Sequence, residues 1–255
     1  MSLADEIYLP FSERGLDLRS EALEDFYIRC SEWVNYVGSV ILLLGHCTEL
    51  SGEPRLRVPA PLIRGHHEEL EETIQRLPKS LSTTAWTQLS TTFDVYLSEL
   101  ASEALRLNPE LLSIDEKQLT TSEILELGSF DEIKERLIQR WTFRFGMESY
   151  PVKAERMQSK FRIGIHSNRS PMELFDVHDF VEVRNVLVHT GGHATSSQYH
   201  DRMRHYGRNT LIRSAYGTVA TDFKWLMNFA ECLAELCCFI DKEMRAKWTL
   251  TTGTV

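Results

Sequence analysis

Apolar residues return every three or four positions along most of the 255-residue chain, the spacing that stacks side chains on one face of an α-helix. Leu23, Phe26, Tyr27, Cys30, Val34 and Val37 form such a face in Ser20–Leu44, with Ser20 as its N-cap. Ser51–Pro61 holds three prolines and one glycine and reads as a loop. An acidic helix follows at Leu62–Arg76, and Pro78 is expected to end it, because proline has no N–H for the helical ladder. Leu89, Phe93, Tyr96, Leu97, Leu100, Ala104 and Leu107 stripe the next helix, Thr84–Leu107, which stops at Asn108-Pro109. Ser122–Leu127 and Phe130–Phe145 are helical, the latter with Lys134, Arg136, Arg140 and Arg144 on its polar side. Met147–Arg169 is mixed, with Phe161–Ile165 as a candidate short strand. Val219–Lys247 is the longest regular pattern, carried by Phe223, Leu226, Ala230, Leu233, Leu236 and Ile240.

Between these lies Leu174–Thr190, whose Val-rich core VEVRNVLV also suits a buried strand. Its polar residues decide for a helix. At about 100° per residue His178, Glu182, Asn185 and His189 fall within about 60° of one another, whereas period 2 scatters them. The result is a narrow polar stripe on an otherwise apolar helix, and a buried polar stripe must be paired, hydrated or functional. Arg184 lies off the stripe among valines, where its permanent charge calls for an anionic partner or a wet cleft. The fold class is therefore all-α, with an N-terminal helical region at 1–80 preceding a helical domain at 81–255.

Charge sharpens this picture. The net charge of −9 disfavours nucleic acid as a partner, but residues 1–133 hold 24 Asp+Glu against 10 Lys+Arg, while 134–255 hold 13 against 18. Within 134–169 there are nine basic residues and three acidic ones, and 184–213 adds Arg184, Arg202, Arg204, Arg208 and Arg213 against Asp201. A basic half attracts phosphates even when the whole chain is acidic. Five cysteines without a C-x-x-C pair imply a reducing compartment. No charged-then-apolar leader opens the sequence, and the most apolar run, Trp33–Gly45, falls short of the roughly 20 residues that span a bilayer. The expectation is a cytoplasmic protein without a membrane partner.

Arg184-Asn185-x-x-x-His189, late in a hydrophobic helix and followed by Gly191-Gly192, resembles the R-x(4–6)-H signature of the HEPN superfamily. The polar residue after the arginine fits that family's habit. The resemblance covers this motif and a loose helical layout over about 82–247. It implies a HEPN-type helical bundle acting as a metal-independent endoribonuclease, a hydrolase of toxin–antitoxin or antiviral defence systems, without a cofactor. It further implies a homodimer with both copies of Arg184 and His189 facing one cleft, RNA as substrate, and an antitoxin or defence-system partner. A tyrosine two residues after the histidine, which one subgroup carries as a modification site, is replaced here by Gly191.

The chemistry suits the residues. Histidine has an ordinary pKa of about 6.5 and serves as base or acid near neutral pH. Arginine's charged fork matches two phosphate oxygens. Asn185 is expected to orient His189 or the phosphate, Glu182 and His178 to support the proton path, and Arg202, Arg204 and Arg208 to bind RNA. One helix sets Arg184 and His189 about 140° apart, so they meet around one phosphate either where Gly191-Gly192 ends the helix and frees His189 to swing, or where a two-fold dimer sets two motif helices side by side. Two other readings stay open: a non-catalytic HEPN-like interaction scaffold, with His189 favouring the helix C-terminus, and a zinc hydrolase built on His189, His193, His200, Asp201 and His205.

Overall fold

The computed structural model describes residues 20–49, 67–112, 119–190 and 223–248, and among them every regular element is helical. In chain order these are α1 (Glu21–Glu49), α2 (His67–Leu107), a 3₁₀ turn (Pro109–Leu111), α3 (Thr121–Glu126), α4 (Phe130–Met147), α5 (Tyr150–Phe161), α6 (Leu174–Thr190) and α7 (Phe223–Trp248). No helix among the described residues is long and apolar enough to cross a membrane.

Two expectations are corrected. Pro78 does not end a helix: α2 runs through it without a break for 41 residues. A proline inside a helix forfeits one ladder bond and costs about 3 kcal/mol. The segment beyond it offsets that cost by burial, because Ala85, Trp86, Leu89, Phe93, Tyr96, Leu97, Leu100, Ala101, Ala104 and Leu105 are all buried. They cover an arc of about 200°, wide enough for α2 to pack against α1, α4, α6 and α7 at once. Nor is Phe161–Ile165 a strand. Phe161 ends α5, and Arg162 takes the left-handed conformation at φ 57° that closes it, with the N–H groups of Arg162 and Ile163 both returning to the Met157 carbonyl.

Ser20 caps α1 as expected, its Oγ accepting from the Leu23 N–H at 3.2 Å. The same hydroxyl donates to Asp241 on α7, a buried carboxylate that also pairs with Arg245. Leu23, Phe26, Cys30 and Val37 of α1 join one continuous core with α2, α4, α5, α6 and α7. Residue 80 lies inside α2.

The connection from α5 to α6 is pinned by His166. Its Nδ1 sits 3.0 Å from the Met172 carbonyl, and a carbonyl only accepts, so Nδ1 carries the proton. Nε2 then accepts from the Tyr150 hydroxyl at 2.7 Å. Burial holds this imidazole below histidine's usual value, against the upward pull of the Met172 bond and Asp176. A histidine whose folded pKa is depressed contributes stability that is whole above its unfolded value of about 6.5 and is lost as pH falls below it. Replacing it by His166→Asn should lower stability at pH 8, and the gap to the parent should narrow towards pH 5 in urea titrations. A gap that ignores pH would remove this account.

Candidate functional site

The motif helix α6 has the bounds its sequence predicts. Val177, Phe180, Val181, Val183 and Val186 are buried, and Trp86 of α2 donates its indole N–H to the Phe180 carbonyl at 3.2 Å. The rings of Phe180 and Phe229 stack at 4.4 Å, with Trp86 4.9 Å from Phe180. These contacts fix the rotation of α6 about its axis and so decide where each motif side chain points.

The polar stripe climbs from core to surface. His178 and Glu182 are each 3% exposed, Asn185 is half-buried and His189 is exposed. Neither His178 nor Glu182 faces solvent. Glu182 Oε1 accepts from Asn185 Nδ2 at 3.4 Å, and Asn185 Oδ1 accepts from Arg184 Nη1 at 3.0 Å. The side chains brought together are thus Glu182, Asn185 and Arg184, a carboxylate and a guanidinium bridged by an amide. His178 begins the stripe roughly 16 Å below His189 along the axis, too far to orient it within one helix. Asp179, beside His178, is equally buried, a carboxylate that the motif pattern does not single out.

Arg184 is the most telling member. It is half-buried, its Nε is buried without a hydrogen-bond partner, and no carboxylate among the described residues lies within ion-pair distance. A guanidinium cannot shed its charge, so its buried Nε calls for an anion or a water molecule. His189, in the last turn, makes no hydrogen bond among the described residues and stands about 7.5 Å along the axis from Arg184. One copy of α6 does not converge the two. Gly191-Gly192, Arg202, Arg204 and Arg208, and the cluster His193, His200, Asp201 and His205, lie outside the described residues. Among the described residues no three His, Cys, Asp or Glu side chains are grouped to hold a metal.

The acidity of the N-terminal half has a location. A cleft of about 580 Å³ between α1, α2 and α4 is lined by Glu21, Asp25, Asp94, Glu99 and Glu103. Burial, and then the like charges of Asp25 and Glu21, push the Glu99 carboxyl up, while burial followed by Asp241 and Glu21 does the same to Glu103. This cleft has the wrong sign for phosphate. No family model matches the chain, and neither a curated protein nor a solved structure matches it.

Proposed function

We propose that the chain is a metal-independent endoribonuclease of HEPN type, working in a toxin or antiviral-defence setting with its antitoxin or defence partner. Its site is composed from two copies of α6 in a homodimer. The observation that carries this reading is the half-buried Arg184, tied through Asn185 to Glu182, with a buried Nε that has no partner among the described residues. A phosphodiester oxygen meets that need. His189 of one copy takes the proton from a ribose 2′-OH, and the oxygen attacks the adjacent phosphorus. Arg184 stabilises the pentavalent phosphorane, and the second copy's His189 returns a proton to the departing 5′-oxygen. The products are a 2′,3′-cyclic phosphate and a 5′-hydroxyl. The two-fold arrangement resolves the 140° between Arg184 and His189, because each histidine then faces the other copy's arginine.

Val188, next to His189, is 48% exposed and apolar, as an isologous contact across α6 requires. Val188→Glu should place like charges at the contact, shift the protein from dimer to monomer in sedimentation, and remove cleavage while leaving the helical signal unchanged. A monomeric parent that still cuts RNA would sink the composite site. The direct test is RNA incubated with the protein in EDTA and the fragment ends analysed. Cyclic-phosphate ends support the mechanism, and ends requiring metal-activated water oppose it.

A second reading, the non-catalytic helical scaffold, draws on the same link: Asn185 already occupies one Arg184 donor, and His189 is well placed at the negative end of the helix dipole. It expects no cleavage of any RNA.

A further inference from the structure

The outer face of α4 is basic, exposed and aromatic, and the motif helix has no part in it. Arg136, Arg140 and Arg144 follow one another at intervals of four residues, about 6 Å of rise each. With Gln139 and Phe143 they line a groove of about 440 Å³. The spacing matches the separation of neighbouring phosphates along an extended strand. Phe143 is 71% exposed, although its neighbours Trp141 and Phe145 turn inward and stack at 4.9 Å. Packing does not require a phenylalanine there.

The carboxylates nearby are engaged elsewhere. Asp131 pairs with Lys134 at 3.4 Å, Glu132 accepts from the Gly128 N–H, and Glu135 accepts two bonds from Arg106 at 3.1 and 2.9 Å. Among the described residues Arg136 and Arg144 have no carboxylate within ion-pair distance, and only Arg140 is held, by Glu123 of α3. The acidic cleft repels a polyanion, and this face carries the opposite sign. An acidic peptide would meet the arginines equally well, but only an aromatic residue in the right place would cover Phe143, whereas every nucleotide of a strand carries a flat base beside its phosphate.

We propose that this face of α4 binds a single strand of RNA, with Arg136, Arg140 and Arg144 on successive phosphates and Phe143 stacked on an unpaired base. Stacking on an exposed ring requires an unpaired base, which selects a single strand over a duplex. The choice of RNA rests on the ribonuclease reading; the surface itself is separate from the α6 site. Glu123 acts as a local competitor that the strand displaces from Arg140.

The test measures anisotropy of a fluorescein-labelled oligoadenylate in EDTA, with His189→Ala as the parent so that no cleavage intervenes. Arg136→Gln/Arg144→Gln should weaken binding and flatten the dependence of log affinity on log salt by about 1.4, at about 0.7 per phosphate lost from a single strand. Phe143→Ala should weaken it about tenfold with the salt slope unchanged. Glu123→Gln should tighten it. Binding by these variants equal to the parent's overturns the proposal, as does no binding by the parent. Displacement by polyglutamate at the same charge concentration as RNA, with Phe143→Ala silent, overturns it in favour of an acidic protein. Binding that follows the expected pattern in a protein that never cuts RNA would leave this surface standing and remove only the nuclease.

Discussion

On the proposed mechanism, His189→Ala should lower RNA cleavage by about a hundred- to ten-thousand-fold, the contribution of a positioned proton donor or acceptor. Arg184→Ala should lower it by about a hundred- to a thousand-fold, through loss of charge stabilisation in the proposed phosphorane. The two losses do not multiply. In the proposed scheme both residues serve one transition state, so the double variant should be no slower than roughly the worse single one. Arg184→Lys keeps a charge but loses the planar fork, and should recover only part of the rate. EDTA should change none of these rates, since no metal enters the scheme. His189 is exposed, so His189→Ala should shift stability by less than about 0.5 kcal/mol. Cleavage at the parent's rate in either single variant would end the mechanism. Loss of cleavage in EDTA, restored by zinc, would move the site to the histidines beyond residue 190.

Asn185 separates positioning from chemistry. Its amide oxygen holds Arg184 and its amide nitrogen reaches Glu182. That link ends at the arginine and not at the histidine, so in the proposed mechanism Asn185 orients the charge and does not carry the proton. The sequence placed Asn185 and His189 one turn apart on a shared stripe, and both are there. What it did not reveal was the stripe's gradient from core to solvent. Burial depends on which neighbours cover each turn of α6, and those neighbours come from α2 and α7, far away in the chain.

The same distinction runs through the fold. Helices with one clear apolar face, such as α4 and α7, were legible because their pattern is local. The continuity of α2 through Pro78 was not, because local proline chemistry argues for a break and only burial of the following turns offsets it. Lys153 was legible in principle: it occupies a core position in the series Tyr150, Lys153, Met157 and Phe161, and α5 buries all four. Its ammonium is 2.8 Å from Asp94 on α2, a partner 59 positions away that no spacing rule could supply. The need of Arg184 for a partner was anticipated from its valine neighbours, while the amide that takes one of its five donors emerged only with side-chain geometry.

Trp86→Ala should be the most destabilising single change near the motif helix. Trp86 is 1% exposed, rests against both Phe180 and Phe229, and donates to the Phe180 carbonyl. Truncating a buried tryptophan costs about 3–5 kcal/mol, from lost burial and the cavity left behind. For a chain of this size the melting temperature should fall on the order of 10 °C. Trp86→Phe keeps most of the ring contact and gives up the indole hydrogen bond, so about 1–2 kcal/mol is expected. Activity makes the comparison informative. Trp86 rests on Phe180 and Phe229, neither of them a motif residue, but it sets the rotation of α6, and a displacement of about 1 Å in a reacting group can cost a hundredfold in rate. Measured well below its melting point, Trp86→Ala should therefore cut RNA more slowly per folded molecule than the parent, with Trp86→Phe between them. His189→Ala would show the converse, a full loss of rate at full stability. If Trp86→Ala keeps the parent's rate per folded molecule, the aromatic wedge serves the core alone, and the orientation of Arg184 must be fixed from within α6 by Asn185 and Glu182.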